Sequence, residues 1–114
     1  MHEMALMSGV FQIIEDTLKK HPEVEKVVLV RLEVGKLTNA VPDALEMAFQ
    51  AFSKGTKAED AKLEIDIVPL TLACTICGHV STYEETCFKC ASCGDIKVDV
   101  LRGRELRVDS LEVE

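Results

Sequence analysis

Tryptophan is absent from the 114 residues and tyrosine occurs once. With aromatic residues at 4%, the chain has no row of rings on which single-stranded nucleic acid could stack. Positive charge is also scarce: 13 Lys and Arg stand against 20 Asp and Glu, for a net charge of −7. Over residues 71–114 only Lys89, Lys97, Arg102, Arg104 and Arg107 oppose eight acids. A nucleic-acid backbone requires a basic face, so nucleic-acid binding is set aside. No apolar run approaches the roughly 20 residues of a membrane span, and the start of the chain lacks the basic-then-apolar pattern of a signal peptide. A cytoplasmic protein without a membrane partner is therefore expected. A Gly-rich phosphate loop is missing too, so any nucleotide hydrolysis has to come from a partner. The acids alternate along strands or dot helix surfaces instead of converging as an acid–base pair, which argues against an enzyme.

What the chain does hold is cysteine in a telling arrangement. Four of its five cysteines form two Cys-x-x-Cys-Gly knuckles, Cys74-Thr75-Ile76-Cys77-Gly78 and Cys90-Ala91-Ser92-Cys93-Gly94. Two thiolates three residues apart grip one cation, and two such pairs on facing turns close a tetrahedron around it. The glycine after each pair permits the positive φ that wraps the turn about a metal. In a reducing compartment this spacing reads as a structural Zn(II) site on Cys74, Cys77, Cys90 and Cys93. Cys87 opens an overlapping Cys-x-x-Cys with Cys90 and is the alternative ligand. Four thiolates also hold iron, as in rubredoxin-like sites, and colour separates the two metals. A redox dithiol and a generic zinc-ribbon adaptor are the other readings of the same spacing.

The rest of the chain reads as an α+β unit. Met4, Met7, Val10, Phe11, Ile14 and Leu18 recur on one helical stripe, closed by Lys19, Lys20, His21 and Pro22. Val28, Val30, Leu32 and Val34 share one face of a strand, with Arg31 and Glu33 on the other. Pro42 opens a second helix lined by Leu45, Ala48, Phe49 and Phe52, and Gly55 caps it. Leu63, Ile65 and Ile67 alternate in a strand that stops at Pro69. Further strands are expected over Ile96–Val100 and from Leu106, with the apolar phase slipping between Ser110 and Leu111. The expected fold is a small mixed sheet covered by two helices, with a zinc-ribbon-like treble of Cys-x-x-Cys knuckles inserted. The expected domains are residues 1–70, completed by a C-terminal strand at 103–114, and a zinc-binding domain at 71–102.

The chain begins Met1-His2-Glu3. Histidine at position two lets the terminal amine, the His2 amide and the His2 imidazole chelate one metal in a plane through fused five- and six-membered rings. Square-planar nitrogen donation suits Ni(II) or Cu(II), not zinc. The ordinary role for Glu3 is an acid near the start of the first helix.

The start Met-His-Glu-Met-Ala-Leu, the strand Val-Arg-Leu-Glu-Val-Gly-Lys-Leu, the segment Val-Pro-Asp-Ala-Leu-Glu-Met-Ala-Phe, the paired knuckles and the tail Gly-Arg-Glu-Leu-Arg-Val resemble the HypA/HybF family of hydrogenase nickel-insertion accessory proteins. The resemblance spans nearly the whole chain. It implies a nickel metallochaperone that carries Ni(II) as cargo to the large subunit of nickel–iron hydrogenase and works with a HypB-type GTPase. It also implies a nickel site at the Met1 amine, His2 and the Glu3 backbone nitrogen, with zinc on the two Cys-x-x-Cys pairs. A weak homodimer is compatible with it. Some members of the family carry histidines beside the knuckles that enter the zinc shell. Here His79 follows the first knuckle, but Gly94-Asp95 follows the second, so a full exchange is not expected and His79 reads as a surface residue.

Overall fold

A computed structural model describes residues 2–114. The chain divides into two compact units. Residues up to Glu33, with Ala40–Asp66 and Leu106–Glu114, form the first; Val34–Asn39 and Ile67–Glu105 form the second.

The first unit is built on two helices, α1 (His2–Lys20) and α2 (Pro42–Ser53). Met7, Val10, Phe11 and Ile14 follow the i, i+3, i+4 spacing of one helical face and are buried to 3% exposure or less. Glu3 in the first turn and Lys19 and Lys20 in the last complement the helix dipole. In α2, Pro42 occupies a position whose N–H has no intrahelical acceptor, and Gly55 beyond its end takes a φ of +75°. The helices meet through an aromatic cluster: Phe11 lies 5.5 Å from Phe49 and 5.7 Å from Phe52, ring centre to ring centre. Each fully buried side chain of this size contributes about 1.5–3 kcal/mol.

A three-stranded sheet has the order β2-β1-β6, with β1 at Val27–Gly35, β2 at Lys62–Val68 and β6 at Leu106–Val113. The polar sides of these strands carry ion pairs. Arg31 on the central strand reaches Glu64 of β2 at 3.0 Å and Glu112 of β6 at 3.8 Å, and Arg107 of β6 pairs with Glu33 of β1. Such exposed pairs are individually weak, yet they fit only one register of the three strands.

The burial of β1 departs from strict alternation. Val30, Leu32 and Val34 are buried as expected, but Val28 is 38% exposed while Val27 and Leu29 are buried. The phase breaks where the Val27 N–H is taken by the Lys57 carbonyl and the neighbouring Ala58 is buried. Ile67 is likewise exposed and Val68 buried, at the point where β2 passes from one unit to the other. The phase slip expected at Ser110–Leu111 is present: both residues are half-buried.

The second unit has its own sheet, of order β4-β3-β5 and antiparallel throughout. Its strands are β3 (Leu70–Cys74), β4 (Val80–Tyr83) and β5 (Val98–Arg102). The fold is thus α+β with two small sheets instead of one. The alternation of Leu70, Leu72 and Cys74, all buried, restarts directly after Pro69, which ends one strand without ending the extended chain. Ile96 belongs to no strand and is 76% exposed.

Val34–Asn39 joins this unit through backbone contacts. The Gly35 N–H donates to the Glu105 carbonyl at 2.6 Å and the Leu37 N–H to the Gly103 carbonyl at 2.8 Å. The two chains pass so closely that a Cβ on Gly35 would stand 2.1 Å from the Gly103 oxygen. Gly103 itself has a φ of +125°, open only to glycine. Two glycine substitutions test this. Gly35→Ala forces backbone against backbone and should cost at least about 3 kcal/mol in urea unfolding. Gly9→Ala, in the exposed middle of α1 with nothing within 4 Å, should instead raise stability by about 0.5–1 kcal/mol.

Candidate metal centre

The two knuckles have one local structure, residue for residue. In the first, the Gly78 N–H bonds to the Cys74 carbonyl (3.1 Å) and the Cys74 N–H to the His79 carbonyl (2.9 Å). In the second, Gly94 bonds to Cys90 (3.0 Å) and Cys90 to Asp95 (2.8 Å) in the same way. Gly78 and Gly94 have φ of +78° and +77°, which lets each turn close. Inside each turn two backbone N–H groups point at the first sulfur. Ile76 and Cys77 donate to the Cys74 Sγ, and Ser92 and Cys93 to the Cys90 Sγ, all at 3.4 Å. Donors aimed at sulfur stabilise thiolate over thiol.

The turns face each other. Cys74 and Cys93 are 3.7 Å apart, sulfur to sulfur, and Cys77 and Cys90 are 3.6 Å apart. All four sulfur atoms lie within 4.8 Å of one another. A tetrahedral ion with metal–sulfur bonds of about 2.3 Å sets an edge of about 3.8 Å between sulfurs. The cysteines present therefore fit a four-thiolate metal ion in both number and spacing.

The site has an inner and an outer side. Cys74 and Cys90 are buried at 5% and 2% exposure, whereas Cys77 and Cys93 are exposed. Their acidities split the same way. The Cys93 N–H, despite burial and with help from the Ser92 N–H, brings the Cys90 thiol down to about 6. The Cys77 N–H does the same in direction for Cys74. Cys93 receives an N–H from Asp95, but burial and the neighbouring thiols outweigh it and push it up to about 12. Cys77 is also raised, since Cys90, burial and Cys74 together outweigh the His79 N–H.

Residues between the cysteines hold the frame. The Thr75 N–H and hydroxyl both donate to the Lys97 carbonyl, at 2.9 and 2.8 Å. Buried Ser81 of β4 accepts the Ala91 N–H at 3.1 Å, tying the second knuckle to the sheet that carries the first. The Tyr83 hydroxyl donates to the Lys89 carbonyl at 2.5 Å. Sequence reasoning missed Ser81, whose signal was its place inside the short extended run Val80-Ser81-Thr82-Tyr83.

The other candidates are placed as follows. Cys87 is half-buried and stands outside the four-sulfur cluster. His79 is exposed and contributes its backbone carbonyl to the first knuckle. Met1 lies outside the described residues. His2 is exposed at the start of α1. Glu3, next in that turn, accepts the Val41 N–H on Oε2 at 3.0 Å. That bond and the Glu3 N–H hold its carboxyl below the usual carboxylate range.

A family model described as "Hydrogenase/urease nickel incorporation, metallochaperone, hypA" matches residues 1–113. A hydrogenase maturation factor HypA of Desulfitobacterium hafniense is 48% identical over 114 residues, covering 100% of this chain and 99% of that protein. The HypA of Albidiferax ferrireducens is 40% identical, with both chains covered in full. Among solved structures, the Ni metallochaperone HypA from Helicobacter pylori superposes with a TM-score of 0.71 at 27% identity, over 99% of this chain and 97% of that one.

Metal content should follow the geometry. Cys87→Ala should keep one four-thiolate ion per chain, whereas Cys74→Ala or Cys93→Ala should lose it and leave the protein poorly soluble, by elemental analysis of purified chains. Protons compete with the metal for Cys77 and Cys93, whose thiols are both shifted upward. Apparent affinity in a chelator competition should therefore fall as pH falls, by about two decades or more per unit near neutrality.

Proposed function

The chain belongs to the HypA family of nickel metallochaperones for hydrogenase maturation, and from that premise we propose that it carries one Ni(II) at its N-terminus and delivers it to the large subunit of nickel–iron hydrogenase. Members of this family are maturation factors, not enzymes. The observation that carries the reading is that the family match begins at residue 1, so it includes Met1-His2-Glu3. The planar donors would be the terminal amine and the His2 amide and imidazole; the Glu3 backbone nitrogen, which the family resemblance adds, could reach the metal only from outside that plane. Helix geometry supports this choice, because the first four N–H groups of an α-helix have no carbonyl four residues back. Nitrogen donors at a chain end leave both faces of a planar metal open to incoming ligands, so nickel can leave by stepwise substitution. Reprotonation of the released nitrogens then makes the transfer hard to reverse.

The four cysteines hold Zn(II) in a structural role, which ties the two knuckles and the β3–β4–β5 sheet into one unit. In this reading the first unit is the nickel-binding domain and the second the zinc-binding domain. Side-chain charge is divided between them: the first contains fifteen acids and eight Lys or Arg, and so the whole −7, while in the second five acids balance five Lys or Arg and the zinc–thiolate site would add only −2. An acidic nickel-carrying unit suits a basic docking face on its partners, which we take to be a HypB-type GTPase and the hydrogenase large subunit. Among the described residues no helix is long and apolar enough to cross a membrane, in keeping with work in the cytoplasm beside those partners.

The test is nickel titration of zinc-loaded protein with a native N-terminus. One Ni(II) should bind with the weak visible band of low-spin square-planar nickel. His2→Ala should abolish it without loss of zinc, and one residue added before Met1 should weaken it. In cells, His2→Gln should leave the protein folded but hydrogenase unprocessed, with partial recovery in excess nickel. Normal maturation at limiting nickel would reduce the chain to a zinc-stabilised adaptor.

A further inference from the structure

The second unit balances its side-chain charge in number but not in place. Three of its five cations, Lys36, Arg102 and Arg104, are drawn together by the backbone. The N–H groups of Gly35 and Leu37 bond to the carbonyls of Glu105 and Gly103, on either side of Arg104, so the main chain at Lys36 lies against that at Arg104. Arg102 and Arg104 line one open concavity of about 410 Å³ together with Val100, Leu101 and Glu105. Glu105, the acid of that lining, is already engaged. Its Oε1 accepts the Gly103 N–H at 2.6 Å and its Oε2 lies 3.6 Å from the Arg102 Nε. Lys36 and Arg104 are exposed and make no ion pair among the described residues. Like charges held side by side repel unless an anion lies among them.

The edge strand β5 adds an apolar side chain to this place. Thr71 pairs with Arg102 but Leu72 with Val100, so Leu101 is the extra residue of a bulge, and it is 55% exposed. A bulge spoils an edge for the addition of another strand, so the surface offers a partner side chains instead of a backbone ladder. Nor is it a phosphate cradle, because the N–H groups of Gly35, Leu37 and Gly103 are all spent within the chain.

We propose that Lys36, Leu101, Arg102 and Arg104 form a docking surface for an acidic segment of a partner protein, one in which carboxylates flank an apolar residue. The Arg104 guanidinium is free to hold a carboxylate through two parallel bonds, and Lys36 adds a point charge beside it. Leu101 gives the apolar residue a place to leave water. This surface is opposite in sign to the first unit, and the inference does not depend on where nickel binds.

The experiment is an NMR titration of full-length, zinc-loaded protein with the capped peptide Gly-Glu-Leu-Glu-Glu-Leu-Glu-Gly, and with the same peptide carrying Gln for every Glu. The acidic peptide should shift the amides of Lys36 and of Leu101 to Glu105, and the shifts should vanish in about 0.5 M NaCl. The Gln peptide should leave them in place. Lys36→Glu combined with Arg104→Glu should weaken binding about tenfold or more. Lys54→Glu combined with Lys62→Glu makes the same change in net charge on exposed lysines of the first unit and should change it by less than about twofold. Zinc content reports that both variants fold. Equal weakening in the two variants means attraction by net charge alone and overturns the proposal. So does an equal response to the Gln peptide. Inorganic phosphate that produces the same shifts at the same concentration makes this a small-anion site instead. Dimerisation in sedimentation that is lost in Lys36→Glu with Arg104→Glu assigns the surface to a second copy of the chain, and also overturns it.

Discussion

The convergence of four sulfur atoms to within 4.8 Å of one another is the constraint around which the second unit is arranged. Little else there could hold it together. Its fully buried large side chains are few, chiefly Val34, Leu70 and Leu72, and it exposes Ile76, Phe88 and Ile96 outside the strands and Val80 at the start of β4. A core of that size does not offset the entropy of ordering the segment, and thiolates brought this close repel unless a cation sits among them. With an ion on the four sulfurs, the sheet, the knuckles and the metal would form one cooperative object. Each strand boundary is set by it: β3 ends at Cys74, which is itself a ligand candidate, and β4 begins as soon as the first turn has closed.

Both helices were legible because apolar spacing agreed with the residues at their ends, the basic run and Pro22 after α1 and Pro42 and Gly55 around α2, and tertiary packing had nothing to override. The cluster was legible for a different reason. A Cys-x-x-Cys-Gly turn is a local structure with few alternatives, so two copies announce their own geometry. Glycine after the second cysteine, absent after Cys90 in the overlapping Cys87–Cys90 pair, marked the four cysteines that meet. What could not be read was long-range. Pro69 looked like the end of extended chain, yet Leu70–Cys74 pairs on both sides with strands that lie 6 and 24 residues beyond Cys74 in sequence (Val80 and Val98). The exposure of Val28 and Ile67 depends on what lies over each end of a strand, and no local pattern records that. Nor did anything near Gly35 reveal that Gly103 would press against it. The bond from Val41 to Glu3 joins residues 38 apart and was equally hidden.

The two proposed metal sites are built to opposite requirements. The cysteine cluster is held by eight hydrogen bonds from backbone N–H groups within its two turns, so removing a metal bound there would dismantle a fold. The proposed nickel donors belong to the chain end at the start of α1, where a rearrangement of two or three residues would be enough to bind or release. A metallochaperone needs this difference. Cargo held as firmly as the structural ion could not be delivered, and a structural ion held as loosely as cargo could be displaced by it. Donor chemistry reinforces the separation, because soft thiolates and planar nitrogens select different ions.

A cargo site at the start of a helix, as proposed, would have a further physical consequence. A chain end in isolation would bind metal with no way of signalling occupancy, because disordered residues transmit nothing. The first turn of α1 is instead anchored a few residues later by buried Met7 and Val10, and sideways by the carboxylate of Glu3. Any change in backbone torsion at His2 and Glu3 would then be confined between a rigid helix and the first residue before α2. The net negative charge of the first unit suits a partner with a basic face.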